Sequence, residues 1–114
     1  MSPEEVVRAQ LSAWSTMDAE QILSYFSDEA VLVDPTGTYT GREGVGWWVR
    51  EHVNRMDAAD LAVVNLLVNE GMVMVERIDR FIYDGKNVSA RCMGTFEVVG
   101  DKIVAWRDYF DMPS

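Results

Sequence analysis

The sequence predicts an α+β fold in which a curved antiparallel β-sheet packs against N-terminal helices. Apolar residues recur at helical spacing in the first half of the chain, whereas alternating strand-like patterns dominate after residue 61. The length of 114 residues and the hydrophobic content of 48% suit a single domain, 1–114, with its own core. A curved sheet covered by helices on one side predicts a half-open cone with one mouth.

Three helices are expected in the first half of the chain. Ser2 suits a helix cap and Pro3 suits a first helical position, and Val6, Leu11 and Trp14 then form an apolar stripe. The segment "TMDAEQILSYF" predicts a second helix that begins after a capping aspartate, and "VGWWVREHVNRM" predicts a third.

The strands follow from alternation and turn signals. "EAVLVDP" predicts a short strand that ends at Pro35, because proline removes a ladder donor, and "TGTYTGREG" is turn-rich. Four strands near 61–68, 72–82, 88–99 and 103–111 are separated by turn residues and predict a meander.

Composition excludes several functions. The net charge of −9 opposes binding to nucleic acids and to anionic membranes. One cysteine and one histidine make a Cys/His metal site and an internal disulfide untenable. The acidic start "MSPEEVVRAQ" lacks the features of a secretory signal, so we expect a cytoplasmic protein.

Four charged residues interrupt strand faces that are otherwise apolar. Arg77 and Asp79 share a face with valine and phenylalanine residues, Asp108 follows Trp106 on its face, and Asp34 ends the face of the early strand. Burying charge costs several kcal/mol unless it is paired, so these positions predict a pocket where the charges do chemistry. Structural ion pairs, or a capping role for Asp34 at the turn, are the alternative interpretations.

The same faces predict the apolar lining of that pocket, which ordinary core packing would explain equally well. The predicted lining residues are Trp14, Leu32, Phe81, Ala90, Cys92, Trp106 and Phe110.

Two segments, "ERID" at 76–79 and "GTFEVVGDKIVAWRDYFDM" at 94–112, resemble the limonene-1,2-epoxide hydrolase family, and "DAEQILSYFSDEAVLVDPTGTYTGREGV" extends the likeness more weakly. The resemblance implies the cone fold of nuclear transport factor 2, ketosteroid isomerases and small polyketide cyclases. It implies that Asp79 is the acid that protonates an epoxide, that Asp108 is the base that activates water, and that Arg77 bridges them. It also implies a small apolar substrate, no metal or organic cofactor, and a homodimer.

The sequence departs from that family on the early strand. Leu32 and Asp34 stand where the family holds water with a tyrosine and an asparagine. "YFSDEAVLVDPTG" resembles the ketosteroid isomerase stretch whose aspartate shuttles a proton, although Gln10 and Gly94 occupy the positions of the isomerase oxyanion hole. An isomerase or cyclase that uses Asp34, and a binding module without catalysis, therefore remain as alternatives.

Overall fold

The computed structural model describes residues 1–112, which form three α-helices and a six-stranded sheet. The elements in chain order are α1 (Pro3–Ala13), a 3-10 turn (Trp14–Thr16), α2 (Ala19–Leu23), β1 (Phe26–Asp34), β2 (Gly37–Thr40), α3 (Gly41–Arg55), β3 (Ala58–Asn69), β4 (Met72–Tyr83), β5 (Lys86–Val99) and β6 (Lys102–Tyr109).

Local signals set the helix ends. Ser2 Oγ accepts the backbone N–H of Glu5 at 3.1 Å and the Glu5 carboxylate returns the bond to Ser2 N at 2.8 Å, which completes a capping box. Asp18 caps α2 through the backbone N–H of Glu20 at 3.0 Å. The second helix is shorter than predicted at its C-terminal end, because Phe26 already begins strand β1.

The sheet has the order β2-β1-β6-β5-β4-β3. The four-stranded meander and the α+β class are confirmed, and every neighbouring pair is antiparallel except β1 with β6, which is parallel. Strand β2 was not predicted. It arises in the turn-rich segment, where Gly37 pairs with Asp34 across a short hairpin.

Register irregularities lie in the β1–β6, β3–β4 and β5–β6 pairs. Such bulges bend a strand and increase its twist, which suits a sheet that wraps around the helices. The concave face therefore turns toward α1 and α3, and the face carries the charged residues singled out in the sequence.

Aromatic side chains fill the space between the helices and the sheet. Trp14, Trp48 and Trp106 meet edge to face at ring-centroid distances of 5.7–6.4 Å, and Phe96 stacks on Trp106 at 5.1 Å. These contacts join the 3-10 turn and the third helix to strands β5 and β6. Among residues 1–112, no helix has the length and apolar character needed to cross a membrane.

Candidate active site

A cavity of about 700 Å³ lies between the concave face of the sheet and the helices. Its walls are mainly apolar, as is typical of sites for small organic molecules. The lining residues are Trp14, Asp34, Thr36, Trp48, His52, Met56, Leu61, Arg77, Asp79, Phe81, Tyr83, Val88, Ser89, Ala90, Arg91, Trp106, Asp108, Phe110, Asp111 and Met112.

Strand register brings the charged residues together. Arg77 and Asp79 lie two apart on β4, where they pair with Cys92 and Ala90 of β5. Asp108 of β6 pairs with Gly94 of β5. Gly94 is two residues from Cys92 and therefore on the same face of the sheet. All of these side chains therefore point to one region of the concave face.

Arg77 bridges the two carboxylates. Its Nε and Nη2 donate to the two oxygens of Asp79 at 2.9 and 2.8 Å. Its Nη1 and Nη2 donate to the two oxygens of Asp108 at 3.0 and 2.8 Å. The Arg77 side chain is fully buried, and the two carboxylates are 10% and 7% exposed. Bidentate pairing on both sides fixes the orientation of the two carboxylates relative to the guanidinium.

A tryptophan and a glycine support this cluster. Trp106 Nε1 donates to Asp108 Oδ1 at 2.6 Å, and the Arg77 guanidinium carbon lies 5.6 Å from the Trp106 ring centroid. Gly94 leaves the necessary room, since a Cβ there would lie 2.5 Å from Arg77 Nη1 and 2.7 Å from Asp108 Oδ1. An acidic side chain in place of Gly94, at the position that corresponds to the isomerase oxyanion hole, would therefore collide with the ion pair.

One cation faces two acids in this buried cluster, so full ionisation would leave a net negative charge away from water. Burial raises the pKa of Asp108, although Arg77 and the Trp106 N–H act in the opposite direction. Burial alone would lower the pKa of Arg77, but its bonds to Asp79 and Asp108 outweigh that effect and raise it, so the guanidinium stays charged. Protonation of Asp108, the direction in which burial acts, would make the cluster neutral.

Asp79, Cys92 and Asp108 have ligand atoms within 4.8 Å of one another, which is a spacing that also suits a metal ion. The Arg77 guanidinium already lies between them and donates to all three. Burial also raises the pKa of Cys92 to about 12, which keeps the thiol protonated and a poor ligand. The donor set therefore suits an arginine better than a metal.

Asp34 forms a second polar centre in the same cavity. Its Oδ1 accepts the backbone N–H and the hydroxyl of Thr36 at 2.9 and 2.5 Å, and its Oδ2 accepts Trp48 Nε1 at 3.2 Å. Asp34 therefore caps the turn, which was the alternative interpretation of the sequence, and also lines the cavity. Within residues 1–112, no arginine or lysine forms a salt bridge with this carboxylate.

Most of the predicted lining residues line the cavity, as do the four predicted charged residues. Leu32 and Cys92 lie outside the cavity wall, which corrects their expected place as lining residues. Leu32 packs beside Trp106 in the β1–β6 pair and is 1% exposed, whereas Cys92 lies beneath the Arg77 guanidinium. Both share the concave face by strand parity, but neighbouring side chains cover them.

The sequence did not identify several lining residues that come from α3 and from the ends of strands. Trp48 and His52 are one helical turn apart on α3, and their rings lie 4.1 Å from each other. Helical spacing was a signal that they share a face, but the direction of that face depends on how α3 packs on the sheet.

The fold and its cavity define a small cone-shaped α+β protein of the nuclear transport factor 2-like class. Residues 7–106 match the SnoaL-like domain family, and the chain belongs to that family. This agrees with the wider superfamily that the sequence resemblance implied.

Solved structures share the fold at low sequence identity. A hypothetical protein with a ketosteroid isomerase-like fold from Catenulispora acidiphila DSM 44928, solved in complex with trimethylamine, has a TM-score of 0.86 and 20% identity over 98% of this chain and 88% of the other. An LEH-like epoxide hydrolase of M. tuberculosis has a TM-score of 0.85 and 24% identity over 96% and 82% of the two chains. An NTF2-like protein of Anabaena variabilis ATCC 29413 has a TM-score of 0.84 and 20% identity over 96% and 87%.

Proposed function

We propose that this protein is an epoxide hydrolase that adds water to an apolar epoxide and yields a vicinal diol. The observation that carries the proposal is the buried Arg77 guanidinium, which binds Asp79 and Asp108 on the wall of a mainly apolar cavity. The sequence likeness to limonene-1,2-epoxide hydrolases and the shared fold of an LEH-like epoxide hydrolase support it.

Opening an epoxide by water requires a proton donor and a proton acceptor at the same time. In the proposed step, Asp108 acts in its ionised form, in which the pKa raised by burial makes it a stronger base, and takes a proton from water while the water oxygen bonds to an epoxide carbon. The carbon–oxygen bond breaks, and protonated Asp79 gives its proton to the leaving oxygen. The product is a diol, and the proton gained by Asp108 then passes to Asp79, which restores the starting protonation of both carboxyls. Each positioned proton transfer contributes about 10²–10⁴-fold to the rate.

The position of Asp34 supports a role in holding the water. Leu32 pairs with Trp106 across the parallel β1–β6 ladder. Asp34 and Asp108 each lie two residues further along, so they are neighbours on the same face of the sheet. Thr36 and Trp48 fix the Asp34 carboxylate, whose oxygens accept a water hydrogen. An aspartate thus replaces the polar pair that the related family uses.

The test is turnover of a panel of cyclic and acyclic epoxides in heavy-oxygen water. The expected product is a diol that carries one labelled oxygen, and Asp79→Asn and Asp108→Asn each reduce the rate at least about 10²-fold with the fold retained. Asp60→Asn is the matched control, because Asp60 is an exposed aspartate on β3. Full turnover by both cavity variants would contradict the assigned roles.

An isomerase or cyclase that uses Asp34 as its proton shuttle is the second candidate. The observation that favours it is a buried carboxylate on the cavity wall, 7% exposed, whose bonded donors are neutral. Asp34→Asn separates the candidates. The asparagine oxygen still accepts a hydrogen bond from water, so a hydrolase stays largely active, but the amide cannot take up a proton, so an isomerase or cyclase is abolished. A cyclase would also consume an epoxy alcohol without taking up label. Ligand-dependent stabilisation with no turnover would indicate a binding module.

We also propose that the protein forms a homodimer through the outer face of the sheet. Leu67 pairs with Met74, and Met93 pairs with Tyr109, and these four side chains are 46–76% exposed. Exposed apolar side chains that share one sheet face are typical of interfaces. Sedimentation velocity measures the oligomeric state. Met93→Lys places a charge on the exposed face, so it is expected to shift the equilibrium toward monomer. A monomeric wild type would contradict the proposal.

A further inference from the structure

The last two turns of α3 place a histidine on the cavity wall with its ring held in one orientation. His52 Nδ1 lies 2.8 Å from the backbone carbonyl oxygen of Trp48, one turn earlier in the helix. A carbonyl oxygen only accepts, so Nδ1 carries the hydrogen and Nε2 of the neutral ring is an acceptor. The imidazole also lies 4.1 Å from the Trp48 ring, which Asp34 holds in turn through the indole N–H. His52 therefore offers the cavity one fixed acceptor, Nε2.

A tyrosine hydroxyl belongs to the same cavity wall. Tyr83 is half-buried at the end of β4, and its ring lies 5.8 Å from that of Phe81. Burial raises the pKa of Tyr83, although Arg55 acts in the opposite direction, so the phenol stays protonated and can donate. Within residues 1–112, neither this hydroxyl nor the Nε2 atom of His52 forms a hydrogen bond. Both groups are therefore available to a ligand in the cavity.

The backbone brings these two side chains to the same end of the cavity. The third helix ends at Arg55, and two residues later the N–H of Asp57 donates to the carbonyl oxygen of Ile82 at 2.7 Å. This bond ties the end of the helix to the end of β4, next to Tyr83. Tyr83 is four residues beyond Asp79 on the same face of the strand, which corresponds to about 13 Å. This end of the cavity is therefore remote from the carboxylate cluster.

One acceptor and one donor select the kind of ligand group. An alcohol donates its O–H to His52 Nε2 and accepts from the Tyr83 hydroxyl through its oxygen. A ketone or an ether only accepts, and an ammonium group only donates, so each of these satisfies one of the two side chains. Because Trp48 already orients the imidazole in the free protein, little ordering of that ring opposes binding.

We propose that His52 and Tyr83 bind a hydroxyl group of the substrate, which is an elongated apolar molecule with that hydroxyl at the end opposite its reacting group. The inference rests on the proposed function for the epoxide at the carboxylate cluster, but not for the hydroxyl. The subsite fixes which end of the substrate reaches Asp79 and Asp108, and it favours hydroxylated epoxides over hydrocarbon epoxides of the same shape.

The test is calorimetric binding of two ligands without an epoxide, 6-phenylhexan-1-ol and its methyl ether, which accepts a hydrogen bond but cannot donate one. The wild type is expected to prefer the alcohol. His52→Leu is expected to remove that preference, a change of about three- to tenfold in the ratio of the two dissociation constants, which is the loss of one hydrogen bond. His52→Gln keeps an acceptor and is expected to keep the preference.

The tyrosine variant has a different expected signature. Tyr83→Phe removes a donor that both ligands use, so it is expected to weaken both by about three- to tenfold and to leave their ratio unchanged. Tyr109→Phe is the matched control, because Tyr109 is 60% exposed and lies outside the cavity, and it is expected to change neither affinity.

Three results would overturn the subsite: an unchanged ratio in His52→Leu, unchanged affinities in Tyr83→Phe, or no binding of either ligand to the wild type. None of these readouts depends on catalysis. If the expected pattern appears while no epoxide is hydrolysed, the proposed function fails and the subsite stands. If epoxides are hydrolysed while His52→Leu leaves the ratio unchanged, the subsite fails and the proposed function stands.

Discussion

The substitution Arg77→Met tests whether the buried guanidinium compensates the two buried carboxylates. Methionine keeps much of the side-chain length but leaves Asp79 and Asp108 without a cation in a site where Arg77 is 0% exposed. Removing one partner of a buried ion pair costs about 3–5 kcal/mol, a large share of the roughly 5–15 kcal/mol that stabilises a domain. At roughly 4 °C per kcal/mol, the melting temperature should fall by about 12–20 °C.

The loss should also depend on pH. Burial already raises the pKa of Asp108, and the variant removes the opposing effect of Arg77, so the folded-state pKa rises further. A carboxyl whose folded pKa exceeds its unfolded pKa binds protons more strongly when folded. Its contribution to stability is therefore present at low pH and is lost as the pH rises through the folded value. The difference in melting temperature between wild type and variant should therefore become smaller as the pH is lowered from about 8 to about 5.

The assay is thermal unfolding of wild type and variant across that pH range, followed by circular dichroism. Arg80→Met is the matched control, because Arg80 lies on the same strand, is exposed, and pairs with Asp60 only at 3.8 Å. An exposed pair contributes about 0–1 kcal/mol. If Arg77→Met were as mild as the control, or if its deficit grew at low pH, the account of the cluster would be refuted.

Two further predictions concern the neighbours of this cluster. Gly94→Ala places a Cβ 2.5 Å from Arg77 Nη1, so it should destabilise the fold by about 1–3 kcal/mol and reduce turnover. Gly46→Ala, a helical glycine whose added Cβ would meet only the flexible, exposed end of the Arg50 side chain, serves as the control in unfolding and rate measurements, and equal effects would contradict the crowding argument. Cys92 has a pKa raised to about 12 and is 4% exposed, so the native protein should resist iodoacetamide at about pH 8 and react once unfolded, as measured by mass spectrometry. Rapid labelling of the native thiol would show that the site opens.

Strand parity explains why much of the candidate site could be predicted from the sequence. Alternation places Arg77 and Asp79 on one face whatever the neighbouring strands are, and a charge on an apolar face predicts a buried partner. The position of Asp108 required only the parity of β6. The particular hydrogen bonds could not be predicted, because they depend on which strands are neighbours and in which register.

The failures of sequence reasoning also have physical causes. Gly37 and Tyr39 lie in β2, but the segment is too short and too rich in turn residues for a periodic signal. Phe26 fits the apolar spacing of a helix, yet it pairs with Ile103 in the sheet. Leu32 and Cys92 have the parity of cavity residues, but only the packing of their neighbours decides which side chains are covered.

The most direct test of the central claim is a single turnover of a reactive epoxide in heavy-oxygen water, with enzyme in excess over substrate. If water attacks the epoxide carbon directly, with Asp108 as base and Asp79 as acid, the diol from the first turnover carries the heavy oxygen. An unlabelled first-turnover diol would show that a carboxylate oxygen of the enzyme had attacked carbon, and it would contradict the acid and base roles proposed for the pair.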